Sequence, residues 1–365
     1  MRRSFQVIKG WTILGIALLV LVGERQAAFA QVKRLPGEIP RTEVIEGPVK
    51  EQIDKFVTET AKILNTGENE RAIKDAREAL ADPGRNPVFS QAFKVYYPGK
   101  VVGELKGALS HAKPAVRMNA LIVLDDMGSA TVADQAIKAL ADKHAGCRYW
   151  AAKVLADVGS IGGALAEQSI YSLNQQKSIL AALKTAMTAE KQAQALEQMY
   201  RALSVLRLPE ADDSMLEVLN KRLSLHAAGA DESMRADLAG INGLKTKLVR
   251  ADAEGKNVDA VVRNLAAVAG KYLLLVAQGL QGGAIGENLK PMALDVVNSC
   301  EQVFLELAVK RFDPGMNKPA LTKAADANLL LLNTQDWVGD GAKPGLLSTS
   351  KIAIPAAQLK LPAGK

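Results

Sequence analysis

The sequence predicts an all-α protein, a short α-solenoid of helix pairs followed by a helical C-terminal region. Two segments, 114–128 and 145–159, repeat each other at one fixed offset of 31 residues. A constant offset of this size is typical of stacked helical hairpins. Aromatic residues make up only 4% of the chain, and no long alternating run rich in Val, Ile and Thr predicts a strand. The residues that match between the two copies are Arg117/Arg148, Ala120/Ala151, Leu124/Leu155, Asp126/Asp157 and Gly128/Gly159.

The first thirty residues have the three parts of a secretory signal peptide. Arg2 and Arg3 begin it, an apolar run covers 11–22, and Ala28-Phe29-Ala30 has the small–x–small pattern of a cleavage site. We expect cleavage after Ala30 and a periplasmic or secreted protein without a membrane span. The alternative is an uncleaved N-terminal anchor, although the apolar run is shorter than the roughly 20 residues that span a bilayer.

The charge of the chain belongs partly to this signal. Loss of residues 1–30, with four basic side chains and one acidic side chain, lowers the net charge from +7 to +4. The remaining basic residues are scattered and are not interleaved with aromatic residues. We therefore expect no nucleic-acid partner.

Residues 31–48 contain three prolines and two glycines and predict a linker on the surface. The region 49–228 is predicted to hold the helical repeats. Apolar spacing predicts a first helix over 49–64 that Gly67 stops, and a second helix over 70–81 that Pro83-Gly84 ends. Asn86-Pro87 then has the residue types that open a helix.

The repeating unit is predicted to be a helix pair. Its first helix ends at Gly128 or Gly159, and its second helix, about nine residues long, covers 101–109 or 132–140. The period loosens after 162–163. Ala202 and Leu206 then resume the spacing of the earlier copies, and a partner helix is expected over 213–225.

The region 229–334 is predicted to form longer helices near 232–251, 258–278, 287–312 and 318–332. Gly240, Gly243 and Gly270 lie inside them, where glycine is unfavourable unless helices approach closely. From 335 to 365, glycine, proline, serine and lysine predominate, and a flexible tail is expected.

The repeated segments resemble the HEAT-repeat family in its short bacterial form. Val116-Arg117, Ala120, Leu124 and Met127-Gly128 match the family's pattern, and the copy over 147–159 matches it nearly as well. The resemblance is specific over about 86–175, weak over 49–85 and 176–225, and absent beyond. It implies a binding scaffold whose fold dictates no chemistry.

The resemblance also implies residue roles. Arg117 and Arg148 would form a ladder between units with Asp126, Asp157 or another acid; the alternative is an arginine that binds carboxylate or phosphate. The second helix of each pair would line the concave side. The partner-binding candidates on that helix are Glu104, Lys106, Asp134, Gln135, Lys138, Gln168 and Gln175.

Residues with chemical roles are few. His111 and His144 precede repeat helices on neighbouring turns, but no third ligand accompanies them, and we expect no metal site. Cys147 and Cys300 are the only thiols, and buried free thiols are favoured over a disulfide. The glycine-rich run 279–286 follows no strand and is not a phosphate loop. We expect no catalytic residue and no cofactor.

These observations predict an exported, non-enzymatic scaffold that binds another macromolecule, most simply a protein, along one solenoid face. Two alternatives stay open. One is a structural component of the cell envelope, held by an uncleaved anchor. The other is an enzyme of the lyase type found among HEAT-like proteins, which acts on bilin pigments inside the cell.

Overall fold

The computed structural model describes residues 32–85, 88–161, 169–227, 233–316, 319–324 and 326–362. Over these ranges the fold is all-helical, as predicted, and the only β pairing is an isolated bridge between Gly339 and Pro344. The expected signal peptide, the residues Asn86-Pro87 and the candidate Gln168 lie outside the described ranges.

The N-terminal helices include both repeat copies. They are α1 (Gly47–Thr66), α2 (Glu70–Arg85), α3 (Gln91–Glu104), α4 (Lys106–Leu109), α5 (Pro114–Asp126), α6 (Ala133–Ala139), α7 (Ala145–Gly159), α8 (Leu173–Ala189), α9 (Ala193–Ser204) and α10 (Pro209–His226). A 3₁₀ turn, Ala130–Val132, precedes α6. The C-terminal helices are α11 (Met234–Ala253), α12 (Asp259–Gln281), α13 (Lys290–Gln302), α14 (Lys310–Phe312), α15 (Ala327–Val338) and α16 (Leu346–Thr349).

The expected linker packs on the protein and forms hydrogen bonds with the residue before α3. Ile39 is buried within a 3₁₀ turn, Ile39–Arg41. Ser90 donates its backbone N–H to the carbonyl of Pro40 at 2.9 Å and its hydroxyl to that of Thr42 at 2.7 Å. The Ser90 hydroxyl also accepts from the Phe93 N–H. Ser90 is thus the N-cap of α3, which begins later than the predicted start at Asn86-Pro87.

The first two helices follow the prediction with one extension. Gly67 ends α1 with a φ of 62°, and a Cβ there would lie 2.8 Å from Val116, so glycine is needed for both conformation and space. Helix α2 continues to Arg85 and contains Pro83, rather than ending at 81. The last turn tolerates proline because the missing N–H breaks only one hydrogen bond near the end of the helix.

The helices form two sets that pack in chain order. In the first set, α2, α5, α7, α9, α11 and α13 each contact the next member. In the second set, successive members also contact each other; these members are α1, α3, α6 with the 3₁₀ turn before it, α8, α10, α12 and α15. The core lies between the two sets, and the packing runs on across the predicted boundary at 228–229.

Two of the four predicted C-terminal helices differ from the prediction. The predicted helix 287–312 is a 3₁₀ turn (Glu287–Leu289) followed by α13, a π-helical stretch (Val303–Val309) and α14. The predicted helix 318–332 is wrong in its first part, and only 327–332 is helical as expected. Glu301 accepts the backbone N–H groups of Leu321 and Thr322, and the helix α15 begins only after Asp326, which caps the N–H of Leu329.

The prediction of a flexible tail over 335–365 is also wrong for the residues described. Helix α15 extends to Val338, and the segment beyond it packs on α12. Leu347, Ile352, Ile354 and Leu359 are buried. These apolar side chains, spaced between glycines and prolines, bury enough surface to hold the segment in place.

Candidate functional site

The two repeat arginines make the same set of contacts. Arg117 donates from Nε and Nη2 to the carboxylate of Asp142 at 2.6 and 2.8 Å, and Arg148 donates likewise to Glu190 at 2.5 and 2.9 Å. The Nη1 of each arginine donates to two carbonyls of the preceding turn. Each bidentate pair therefore repeats one geometry at the offset of 31 residues.

The two carboxylates also accept backbone N–H groups just before the next helix of the first set. Asp142 accepts the N–H of His144 at 2.8 Å, just before α7. Glu190 accepts the N–H groups of Lys191 and Gln192 at 2.9 and 2.8 Å, just before α9. Burial by itself would raise the pKa of both carboxyl groups, but the arginine and the amide donors outweigh it and lower both pKa values.

Of the expected partners of these arginines, Asp126 and Asp157 are wrong, and each arginine pairs instead with another acid, the alternative left open. Asp126 accepts two hydrogen bonds from Arg85 at 2.8 Å, and Asp157 pairs with Lys153 and with Arg201. The reason is helix geometry. Nine residues separate Arg117 from Asp126, which places them about 13 Å apart along one helix axis. The acid must come instead from the connection that follows the next helix.

The partner-binding candidates fall into three groups. Lys106, Asp134 and Lys138 are exposed, and Gln135 is half-buried. Glu104 is paired with Lys100 at 2.7 Å. Gln175 completes a capping box with Ser172 and donates to the carbonyl of Ala130 at 2.9 Å. Glu104 and Gln175 thus have local roles in the structure.

The two histidines share one local role. His111 Nδ1 accepts the N–H of Lys113 at 3.0 Å, and His144 Nδ1 accepts that of Gly146 at 3.2 Å. Each ring therefore caps the turn before a repeat helix. In the described part of the chain, no group of three or more His, Cys, Asp or Glu residues is arranged to hold a metal ion.

The two cysteines are free and buried. Burial raises the pKa of the Cys147 thiol to about 11 and raises that of Cys300 further. Thiols with raised pKa values carry little thiolate at neutral pH, so they act as small apolar side chains.

A buried polar cluster surrounds Asp237, which sequence reasoning missed. Its carboxylate accepts from Arg222 Nε at 2.6 Å and from the hydroxyls of Tyr200 and Tyr272 at 3.0 and 2.9 Å. His226 Nε2 lies 2.7 Å from the second oxygen. The residues come from α9, α10, α11 and α12 and share no sequence spacing, so only the tertiary structure reveals them. The network fixes the relative positions of four helices.

A second cluster lies on α5, α7 and α9. Lys153 pairs with Asp125 at 2.5 Å and with Asp157, and its ammonium lies 5.4 Å from the ring centre of Trp150. Trp150 and Tyr149 are half-buried and meet edge to face. Burial raises the pKa of Asp125 despite the contact with Lys153. An aromatic pair beside charged groups is thus partly accessible on the first set of helices.

A groove of about 350 Å³ lies between α10 and α12. Lys271 projects into it and donates to the Oδ1 of Asn220. Burial lowers the pKa of Lys271, because the ammonium is partly removed from water with no carboxylate beside it in the described structure. The groove is lined by Asp213, Leu216, Glu217, Asn220, Asn264, Ala267, Val268, Lys271 and Gln358.

One helix among the described residues, α12, is long and apolar enough to cross a membrane by length and composition. Of its most apolar window, 67% is buried inside the protein. The covering elements include α10, α13 and α15. The same length and composition occur in the core helices of water-soluble proteins.

No protein-family model matches the chain, and a comparison with curated proteins finds no significant match. The basis for inferring a function is therefore the residues of this chain alone. Three features enter it: the repeated arginine–carboxylate pairs, the aromatic pair beside Lys153, and the groove that contains Lys271.

Proposed function

We propose that this chain is an exported, non-enzymatic scaffold, a HEAT-like α-solenoid of helix pairs that binds a protein partner along one face. The observation that carries the proposal is the repeated pairing of Arg117 with Asp142 and of Arg148 with Glu190. Each pair joins a helix of the first set to the start of the next helix in that set. Units joined in this way extend a surface along the stack, which is how solenoid proteins bind.

The packing of the two sets of helices indicates which set lines the concave side of the stack. From α2 to α11, contacts between successive helices are more extensive in the first set than in the second set, whereas at the C-terminal end α12 and α15 of the second set contact each other more extensively than α11 and α13. In a bent stack the inner layer has the shorter arc and the closer helices, so we infer that the first set lines the concave side. Asp134 and Lys138, on α6 of the second set, then lie on the convex side, opposite to the placement expected from the family, whereas Lys106 lies on α4, outside both sets.

The aromatic pair supplies a contact point on the concave side. Tyr149 and Trp150 are half-buried, and Lys153 lies over the Trp150 ring. Tyrosine, tryptophan and arginine are enriched where protein interfaces gain most of their binding energy. We place the centre of the partner's footprint here.

Site-specific photo-crosslinking in the native cell envelope tests the proposal. A photo-reactive amino acid at Trp150 is expected to crosslink a discrete protein, and the same group at Lys138 is expected to crosslink none. The exposed residue Leu332 on α15 is the control position. Crosslinks from Lys138 alone would move the binding face to the second set, and no crosslinked protein from either position would refute the scaffold role.

A further inference from the structure

The groove between α10 and α12 has two matching walls. On α10 the lining positions are Asp213, Leu216, Glu217 and Asn220, and on α12 they are Asn264, Ala267, Val268 and Lys271. On both walls the lining residues have the spacing i, i+3, i+4, i+7, which corresponds to one face of a helix over a length of about 10 Å. Lys271 donates to Asn220. Since these are the last positions of the two walls, Asp213 and Asn264 lie toward the other end.

The two ends of the groove carry opposite charge. At one end, the only hydrogen-bond partner of Lys271 in the described structure is the amide oxygen of Asn220, so two of its three N–H groups are not used by the protein. At the other end, Asp213 is exposed and makes no ion pair with any described residue. Glu217, between them, is neutralised by Lys184 at 2.5 Å and Lys221 at 2.8 Å.

We propose that this groove binds a short zwitterionic peptide of about three residues, with its carboxylate on Lys271 and its ammonium group on Asp213. An extended residue spans about 3.3 Å, so three residues match the length of the groove. The side-chain amides of Asn264 and Gln358 face this space and suit peptide N–H and C=O groups. Leu216, Ala267 and Val268 form an apolar floor between the charged ends.

The electrostatics of Lys271 fit an anionic ligand. Burial lowers its pKa in the unliganded protein. A bound carboxylate would favour the charged ammonium and raise that pKa again. Binding is therefore expected to take up protons at alkaline pH, and the affinity is expected to fall as the pH rises through the titration of Lys271.

Isothermal titration of the full chain with trialanine tests the proposal. For a ligand of this size we expect saturable binding with a dissociation constant of about 1 mM or lower. N-acetyl-trialanine amide, which has neither charge, is expected to bind at least about tenfold more weakly. Lys271→Gln and Asp213→Asn are each expected to weaken trialanine binding about tenfold. Lys256→Gln, an exposed lysine outside the groove, is the control and is expected to change nothing.

Blocking one end of the peptide tests its orientation. N-acetyl-trialanine keeps the carboxylate only, so its binding is expected to weaken in Lys271→Gln and to be unaffected by Asp213→Asn. Asp213 is exposed and forms no ion pair with a described residue, so Asp213→Asn is expected to leave the fold intact, and a loss of binding in this variant would not reflect unfolding. Equal affinity for the neutral and zwitterionic peptides, or no saturation by about 10 mM trialanine, which is roughly ten times the expected dissociation constant, would overturn the proposal. Either result leaves the scaffold role untouched, because that role is tested at Trp150.

Discussion

Replacement of Arg148 by methionine tests whether the repeated pairs hold the stack together. The substitution keeps an unbranched side chain of similar length but removes the four hydrogen bonds that Arg148 donates. The Glu190 carboxylate is 0% exposed and would keep only the N–H groups of Lys191 and Gln192. Breaking a fully buried pair costs about 3–5 kcal/mol. Arg148 is itself 21% exposed, so water can enter, and we expect a loss of about 2–4 kcal/mol.

Urea denaturation of the full chain at pH 7 measures this loss. The matched control is Arg201→Met, because Arg201 is 50% exposed and lies 3.3 Å from Asp157. Such a surface pair contributes about 0–1 kcal/mol. The double variant Arg148→Met/Glu190→Gln removes the buried charge and is expected to recover part of the loss. Equal free energies of unfolding for Arg148→Met and Arg201→Met would refute the reasoning.

The pH dependence gives a second measurement of the same pair. The folded-state pKa of Glu190 lies below the ordinary glutamate value of 4.5, so the pair's contribution is fully present above that value and is lost as the pH falls through the folded-state pKa. Arg148→Met removes much of this lowering of the pKa. The stability difference between wild type and variant is therefore expected to shrink below about pH 4.5.

Three further predictions concern the N-terminus, the core and one close helix contact. N-terminal sequencing of protein recovered from the envelope is expected to begin at Gln31, and an intact Met1 would favour the anchored alternative. Leu124→Ala is expected to cost about 2–5 kcal/mol, as measured by urea denaturation, because Leu124 is 0% exposed, whereas Leu332→Ala, at a 58% exposed site, is expected to cost little. Gly240→Ala is expected to cost about 1–3 kcal/mol, because a Cβ there would lie 2.7 Å from the Tyr200 ring. Gly103→Ala on α3, where nothing lies within 4 Å, is the control and is expected to stabilise slightly; a loss as large as that of Gly240→Ala would contradict the close-contact explanation.

The helical class and most repeat helices were predictable because their signals are local. Apolar spacing over 114–128 and 145–159 gave two helices whose interior residues, Leu124 and Leu155, are buried as expected. The stop at Gly67 follows from the conformational freedom of glycine. The close approach expected at Gly240 is confirmed by its contact with Tyr200.

The errors occur where distant residues decide the local structure. The segment after 318 has apolar residues at helical spacing, but Glu301, from α13, holds the N–H groups of Leu321 and Thr322 in a non-helical turn. In the segment from 335, the composition predicts mobility, whereas Ile352 and Leu359 are buried, and the Ile352 carbonyl accepts from Arg263 of α12, 89 residues earlier in the chain. Leu361 also packs on the core.

In the arginine–carboxylate pairs, likewise, one member was predictable from local sequence and the other was not. The arginine of each pair repeats at a fixed offset because it lies inside a helix, where position along the chain fixes direction. Its carboxylate does not repeat: Asp142 follows Arg117 by 25 residues, and Glu190 follows Arg148 by 42. The intervening helices, α6 and α8, differ in length, so the acid that reaches the arginine comes from the connection that follows that helix.

The arginine–carboxylate pairs differ from the Asp237 cluster in the number of helices that they join. Each arginine–carboxylate pair joins two neighbouring units, and the helices between its members, α6 and α8, differ in length. Asp237 joins four helices at once in the interior, with Arg222 and the carboxylate 3% and 0% exposed. A buried charge that needs several donors constrains every helix that supplies one. The stack can therefore vary in length near Arg117 and Arg148, whereas α9 to α12 must keep one arrangement, and the groove beside Lys271 is built on two of those fixed helices.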